Sequence, residues 1–269
     1  MSDLMTYVYG VTRADDALAD RVAALEGVVG APVHLVPGGD GLVLVASRVP
    51  AEDFREETLR RRLEDLDWLT EVARAHHGVV EAVAAYTTVL PLRLATVYLD
   101  DARAREVLDS GRELFADRLA RLSGHVEWGV KVYVAPSAAP EAPPATADAE
   151  LSPGRSYLRG RRQQQRVRDT AHQEAQRAAE GIEAAARAYA SERARHRVQQ
   201  GTLAEAAGEN VVNDAYLVPL ESGEAFRAEV ARAADGLAGV RIEITGPWAP
   251  YSFAMASEET GGDATGAGP

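Results

Sequence analysis

The chain has 269 residues, of which 46% are apolar, and its formal net charge is -12. This length and apolar content predict one large or two ordinary domains, each able to bury a core. The acidic balance argues against general affinity for nucleic acids or anionic membranes. Cysteine is absent, which excludes disulfides, thiol nucleophiles and thiolate metal sites.

The N-terminus, Met1 to Thr6, lacks the basic start and the apolar run of a signal peptide. The most apolar stretch, Gly78 to Leu92, contains Glu81 and Pro91 and is shorter than the roughly 20 residues that cross a bilayer. These features predict a soluble cytoplasmic protein without a membrane anchor.

The next part of the chain alternates between strand and helix patterns. Tyr7 to Thr12 alternates like a strand, and Ala14 to Leu25 has helical spacing. His34 to Pro37 then meets Leu42 to Val45 across a glycine-rich turn. Because that turn joins two strands rather than opening a helix, we interpret it as structural and not as a phosphate-binding loop.

Two predicted helices, Ala51 to Glu64 and Asp67 to Ala85, follow the hairpin. The second carries a stripe at helical spacing that consists of Leu69, Val72, Ala73, His76, Val80 and Val83. The stripe predicts that His76 is buried, whereas His77 points away. Adjacent helical side chains diverge by about 100°, so the two imidazoles cannot bind one ion together. Glu81 is one possible carboxylate ligand, but a core or rim histidine is favoured over a metal site.

The first half of the chain closes with a strand, a helix and another strand. Thr87 to Val97 is typical of a strand interrupted by Pro91, Asp101 to Leu122 is helical, and Gly124 to Val134 is again a strand. Arg93, just past the proline, is either an ion-pair partner or a surface contact. The β-α-β-β-α-β order that ends with the interrupted strand predicts a ferredoxin-like or related open sheet.

A proline-rich stretch and a long helical region come next. Residues 135–150 contain four prolines among alanine, serine and acidic residues, which predicts a disordered loop inside the second domain. Ser152 to Ala207 is helical in character, with possible breaks at Gly160, Gly181 and Gly201. Its apolar stripe consists of Ala175, Ala178, Ile182, Ala185 and Tyr189. Packing of this stripe on a sheet is favoured over a coiled coil, because alanine buries little area.

A basic run lies near the start of that helical region. It consists of Arg159, Arg161, Arg162, Arg166 and Arg168, with Gln163 to Gln165 between them. Because no aromatic residue is interleaved beyond Tyr157, a solvated helix end or an acidic protein partner is favoured over a nucleic-acid groove.

The C-terminal part is predicted as a strand from Val211 to Val218, a helix from Glu224 to Asp235 and a strand from Val240 to Thr245. The second domain thus has the order β-α-β-α-β, without one hairpin strand of the ferredoxin order. The predicted fold class is α+β with two domains. These are residues 1–123, a ferredoxin-like or related open sheet, and residues 124–256, a modified ferredoxin-like domain with long helices, followed by a flexible acidic tail at residues 257–269.

The last strand ends in a rigid aromatic segment from Thr245 to Phe253. Two prolines fix φ angles there, a glycine permits a conformation closed to other residues, and Trp248 and Tyr251 add large amphipathic faces. Such a segment suits a binding surface or a cap on a core. We favour a core lid on the second domain for Trp248, and a contact with the rest of the protein or with a partner for Tyr251.

Further blocks precede this segment in a fixed order. They are Tyr7-Val8-Tyr9-Gly10, Val80-Glu81-Ala82-Val83 with Thr88-Val89-Leu90-Pro91-Leu92-Arg93, Val126-Glu127-Trp128-Gly129-Val130-Lys131-Val132, and Asn213-Asp214-Ala215-Tyr216-Leu217-Val218. Together with the aromatic segment, they resemble the gas vesicle protein L/F family (GvpL/GvpF) from Leu4 to Ala254.

The resemblance implies a non-enzymatic accessory protein of gas vesicle assembly. It implies binding to the main shell protein and to other gas vesicle accessory proteins, in the cytoplasm and at the gas vesicle. No phosphate-binding, nucleophile-elbow or zinc motif occurs in the chain, so we expect no catalytic residue, cofactor or metal ion. The candidate partner or domain-contact surface consists of Arg93, Trp248, Tyr251 and Phe253.

A second hypothesis comes from a different class of protein. It is a cytosolic small-ligand-binding or hydrolytic α+β protein whose cleft is lined by His76, His77, Glu81 and Arg93. The scattered positions of these polar residues along the chain, and the absence of a recognised catalytic constellation, argue against it.

Overall fold

The computed structural model describes residues 3–134, 153–198 and 208–254. Its contacts divide the chain into an N-terminal unit, residues 3–123 with 249–254, and a C-terminal unit within residues 124–248. The loop predicted at residues 135–150 and the tail predicted at residues 257–269 lie outside the described residues. No helix among the residues that the structure describes is long and apolar enough to span a membrane.

The N-terminal unit is an antiparallel sheet with helices. Its elements are β1 (Leu4–Arg13), α1 (Asp16–Ala23), β2 (Val33–Pro37), β3 (Leu42–Pro50), α2 (Ala51–Phe54), α3 (Glu56–Arg62), α4 (Leu66–Ala84), β4 (Val89–Pro91), β5 (Val97–Tyr98), α5 (Asp101–Ser110) and α6 (Arg112–Leu122). The strand order is β2-β3-β1-β4, with β5 also paired to β1. All of these pairs are antiparallel. This is the ferredoxin-like order that the sequence predicts.

Helices cover both faces of this sheet. Tyr7 and Tyr9 of β1 face a core formed with α1 and α4. Thr6 points to the opposite face, where its hydroxyl donates to the Asp101 carboxylate of α5 at 2.7 Å. The period of two along a strand therefore sends consecutive side chains of β1 into two separate packed layers.

Two of the predicted helices are each divided in the structure. The first breaks at Arg55, whose ψ of 147° is extended rather than helical. The second breaks at Gly111, which ends α5 and begins α6. The predicted strand interruption is confirmed: β4 ends at Pro91, and Ala95 then adopts a φ of 62° before β5. Because the sheet is twisted, short elements separated by such breaks can each pack along it in a different direction.

The C-terminal unit repeats the same topology. Its elements are β6 (His125–Val134), α7 (Pro153–Tyr189), β7 (Glu192–Arg195), β8 (Glu209–Pro219), α8 (Gly223–Arg232) and β9 (Val240–Trp248), and a last helix of the chain, α9 (Tyr251–Ala254), belongs to the N-terminal unit. The strand order is β7-β8-β6-β9, and every pair is antiparallel. The predicted β-α-β-α-β order was therefore wrong, because β7 supplies the hairpin strand that it lacked.

The apolar stripe of α7 packs on this sheet, as predicted. Ala175, Ala178, Ile182 and Ala185 are all buried, and they share a core with Trp128, Val130 and Tyr216. Gly160 and Gly181 do not break the helix. A Cβ on Gly181 would lie 2.8 Å from Ala233 Cβ, so this glycine allows α7 to approach the segment after α8 closely.

An ion pair between a buried carboxylate and a partly exposed guanidinium links the edge strand β7 to β8. The Asp214 carboxylate is buried and accepts hydrogen bonds from Arg193 Nε at 3.0 Å and Nη2 at 2.6 Å. The Tyr216 hydroxyl donates to the same carboxylate oxygen at 3.3 Å. This side-chain pair adds to the backbone pairing of β7 with β8, and Arg193 also contacts Glu183 of α7 at 3.1 Å.

We expect Asp214→Asn to destabilise the C-terminal unit by about 2 kcal/mol, because it removes the buried counter-charge of Arg193 and leaves only the half-exposed Glu183 carboxylate, at 3.1 Å from Nη1. The loss stays below that of a fully buried pair, since the Arg193 side chain is 29% exposed. Urea unfolding gives the magnitude. Hydrogen exchange should accelerate in β7 and not in β9; equal acceleration of both edge strands would contradict a local role.

Candidate functional site

The aromatic segment belongs to two different units. β9 extends through Gly246, Pro247 and Trp248 in the C-terminal unit, whereas residues 249–254 pack in the N-terminal unit. The sequence prediction placed all of residues 124–256 in one domain. The structure corrects this assignment, because Ala249 is buried in the N-terminal core and Tyr251 packs against it.

A β-bulge determines where Trp248 lies. Thr245 pairs with Gly129 and Trp248 with Glu127, so two residues of β9 oppose the single residue Trp128 of β6. Gly246 adopts a φ of 125° within the bulge, and a Cβ there would lie 2.7 Å from the Glu127 carbonyl oxygen. Only glycine fits this position.

The bulge changes which face of the sheet the last residue occupies. Without it, Trp248 would continue the core-facing series of Ile242 and Ile244. With the extra residue, Trp248 lies on the opposite face and is 40% exposed. The prediction that Trp248 is a core lid on the second domain is therefore wrong.

Backbone hydrogen bonds fix the second half of the segment in the N-terminal unit. The Ala249 N–H donates to Glu81 Oε1 of α4 at 2.9 Å. The Arg121 guanidinium of α6 donates to the Phe253 carbonyl oxygen. Phe253 is buried, at 4% exposure, so its side chain contributes to packing rather than to an exposed surface. Sequence reasoning had included it in a candidate contact surface.

Tyr251 lies over the two consecutive histidines of α4. Its ring centroid is 6.3 Å from that of His76 and 5.9 Å from that of His77. His76 is buried, whereas the His77 side chain is 45% exposed. The predicted divergence of the two imidazoles is confirmed, and Tyr251 is partly exposed beside them.

A hydrogen-bonded chain joins His76 to the first strand and to the loop after β4. The Tyr7 hydroxyl lies 2.9 Å from His76 Nδ1 and accepts a hydrogen bond from the Ala95 N–H at 3.0 Å. Burial lowers the pKa of His76 to about 4, while the backbone of Leu92 acts in the opposite direction and His77 adds to the lowering. His76 is therefore neutral at pH 7 and has a structural environment.

The structure does not bring the alternative cleft together. His76 faces the core, while His77 is half exposed and its Nδ1 lies 4.0 Å from Glu81 Oε1. That same carboxylate oxygen accepts the Ala249 N–H. Arg93 is exposed in the loop after β4. Within the described ranges, no group of three or more histidine, aspartate or glutamate residues could hold a metal ion.

Comparison with known protein families identifies the family of this chain. The family model described as gas vesicle synthesis protein GvpL/GvpF matches residues 5–255. The chain belongs to the GvpL/GvpF family. Its role is therefore related to gas vesicles.

Two relatives from Streptomyces sp. (strain CB03234) support the GvpL/GvpF membership. Gas vesicle protein L is 45% identical over 260 residues, covering 96% of this chain and 96% of the relative. Gas vesicle protein F is 26% identical over 259 residues, covering 93% of this chain and 99% of the relative. Of these two, protein L is the more similar to this chain.

Two solved structures of GvpF share the fold. The Anabaena sp. PCC7120 protein aligns with a TM-score of 0.65 at 19% identity, over 94% of this chain and 97% of that one. The Microcystis aeruginosa protein aligns with a TM-score of 0.60 at 20% identity, over 93% of this chain and 99% of that one. This chain therefore shares its overall α+β fold with these two GvpF structures.

Proposed function

We propose that this chain is a non-enzymatic accessory protein of gas vesicle assembly that binds the main shell protein. The observation that carries this proposal is the family match over residues 5–255, together with 45% identity to a gas vesicle protein L. It acts in the cytoplasm and then at the growing vesicle, with other gas vesicle proteins as further partners and without a cofactor.

The outer edge of β9 is the surface that we assign to the shell protein. In the described part of the chain, β9 pairs with β6 on one side only. It is nine residues long and ends in the half-exposed Trp248, whereas the opposite edge strand, β7, has four residues, of which three are charged. A longer edge offers more backbone N–H and C=O groups to an added strand, and a tryptophan is a strong anchor.

Such an edge gives the protein a simple physical role. A shell subunit that exposes an apolar face or an unpaired strand before it joins the wall would aggregate through that surface. A soluble partner that covers the strand keeps the subunit monomeric until it is delivered. The neighbouring charges of Arg241 and Glu243, which form an ion pair at 3.0 Å, disfavour pairing of β9 with another copy of itself. Arg93 and Tyr251 are further candidate contacts, in the N-terminal unit.

We expect Trp248→Ala to weaken capture of purified shell protein by about 2 kcal/mol or more, as loss of an interfacial tryptophan typically does. The matched control is Leu220→Ala, which removes a 65% exposed side chain from the same unit. Binding is measured by pull-down and by light scattering of the shell protein during refolding.

Three outcomes of this experiment are distinguishable. Reduced capture by Trp248→Ala with normal capture by Leu220→Ala supports the assignment to β9. Normal capture by both variants removes Trp248 as an anchor of the interface but leaves shell binding intact. Failure of the unmodified chain to bind the shell protein, or to delay its aggregation, would overturn the proposed function itself.

A further inference from the structure

In the first part of α7, none of the side chains that the structure describes is buried. The helix begins at Pro153, burial is described from Arg159 on, and the first buried side chain in that range is Ala171, at 7% exposure. Every residue from Arg161 to Thr170 whose side chain the structure describes is exposed. We call residues 153–170 the arm. At a rise of about 1.5 Å per residue, the arm extends about 27 Å before the helix reaches the sheet.

The arm is strongly basic in an acidic protein. Between residues 159 and 170 it carries five arginines and a single acid, Asp169, although the whole chain has a net charge of -12. Arg168 reaches Glu209 at 3.1 Å, and Asp169 accepts a hydrogen bond from Gln165 at 2.9 Å. Nearby carboxylates thus neutralise only part of the positive charge of the arm.

Arg162 and Arg166 lie together on the side of the arm away from the sheet. They are one helical turn apart, and about 140–180° around the axis from Ala171, which marks the packed face. Neither has an acidic partner within the described residues. Arg159 extends the same stripe by one more turn and is exposed.

A stretch of helix without a buried face is not stabilised by packing of its own. Short helical segments are marginal in water without tertiary contacts. Two hydrogen bonds within the arm span one helical turn: Gln165 donates to Asp169 at 2.9 Å, and the Thr170 hydroxyl donates to the Arg166 carbonyl oxygen at 2.9 Å. A partner that lies along the arginine stripe would stabilise the arm.

We propose that this stripe docks an acidic helix of a partner protein, whose carboxylates are spaced one turn apart. Carboxylates at i and i+4 on a helix lie on one face at the spacing of Arg162 and Arg166, and each guanidinium can bind a carboxylate through two parallel hydrogen bonds. A nucleic acid is disfavoured because no aromatic residue is interleaved with the arginines beyond Tyr157 and the rest of the protein repels a dense polyanion. The surface is distinct from β9, and its use does not depend on shell-protein binding there.

The test uses an alanine-based helical peptide with glutamate at every fourth position, titrated against the full chain by fluorescence anisotropy. We expect the double variant Arg162→Gln, Arg166→Gln to weaken binding about tenfold, the loss of two solvent-exposed charge pairs. Raising the salt concentration should weaken wild-type binding and largely remove the difference between the two proteins.

The matched control is the double variant Arg227→Gln, Arg232→Gln on α8, which changes the net charge equally in the same unit. It should bind the peptide like the unmodified chain. The variant Arg162→Lys, Arg166→Lys should restore binding only in part, because lysine keeps the charge but loses the guanidinium fork. Circular dichroism verifies that glutamine, a good helix former, leaves the helix content unchanged.

Three results would overturn the proposal. The first is equal loss of peptide binding in both glutamine variants, which would indicate a general charge effect. The second is stripe-dependent binding of a single-stranded RNA oligonucleotide that is tighter than binding of the peptide. The third is stripe-dependent self-association of the chain in light scattering, which would make a second copy the occupant.

Discussion

Replacing Phe253 with alanine should destabilise the N-terminal unit by about 3–5 kcal/mol, although the residue lies near the far end of the chain. The side chain is buried, at 4% exposure, and truncation of a buried phenylalanine loses its apolar transfer energy and leaves a cavity. Since folded domains are stable by only about 5–15 kcal/mol, the variant should unfold at a markedly lower urea concentration.

The position of the damage is as informative as its size. α9 packs against β4 and α6, so hydrogen exchange should accelerate in those elements and in α4. β6 and α7 should be unaffected. If exchange accelerated in β6 and α7 instead, residues 249–254 would belong to the C-terminal unit, as the sequence had suggested.

Trp248→Ala is the natural comparison for Phe253→Ala. The tryptophan is larger but 40% exposed, so its truncation should cost about 1–2 kcal/mol and should affect the C-terminal unit. A loss as large as that of Phe253→Ala would show that the indole is buried in solution and would revive the core lid.

The contrast between these two aromatic residues shows what the sequence could not indicate. Five residues apart in one motif, they belong to different units because the chain crosses between Trp248 and Ala249. The crossing depends on contacts with Glu81 and Arg121, which are distant in sequence. The orientation of Trp248 depends on one extra residue in a bulge, and a one-residue shift moves a side chain to the other face of a sheet.

The main features of the N-terminal sheet were predictable, because its strands are rich in β-branched and aromatic residues and its helices carry regular apolar stripes. β7 was missed for the opposite reason. Its four residues, Glu192 to Arg195, include three charged side chains and no β-branched one, so no periodic signal marks it. The ion pair between Arg193 and Asp214 that holds it is visible only in three dimensions.

Stability of the N-terminal unit should fall by about 2 kcal/mol at pH 5, and by about 3 kcal/mol once the pH reaches 4, because of His76 alone. Burial lowers the pKa of His76 in the folded protein to about 4, against 6.5 in an exposed state. The unfolded chain therefore binds a proton between pH 6.5 and 4 that the folded chain does not. The stabilisation is complete above pH 6.5 and is lost as the pH falls through the folded value.

The surroundings of His76 explain why the folded protein excludes that proton. Two tyrosine rings of β1 flank the imidazole, with centroids 5.7 Å away for Tyr7 and 5.5 Å away for Tyr9. Tyr251 of α9 covers it at 6.3 Å, and the other ionisable neighbour is His77 on its own helix. None of these groups supplies a negative charge at neutral pH, so an imidazolium would be buried without a counter-ion.

Comparison of His76→Gln with His77→Gln isolates the effect. In urea unfolding from pH 7 to pH 4, the stability of His76→Gln should fall less steeply with pH than that of the unmodified chain. The difference in slope should correspond to close to one bound proton, because glutamine does not titrate. His77→Gln changes the exposed neighbour, and its stability should depend on pH as that of the unmodified chain does.

The free energy of unfolding at pH 7 will be lower in His76→Gln, since the hydrogen bond between Tyr7 and Nδ1 is altered. The test is therefore the slope of stability against pH and not the absolute stability. A slope in His76→Gln equal to that of the unmodified chain would mean that the imidazole is hydrated in solution and that Tyr251 does not cover it.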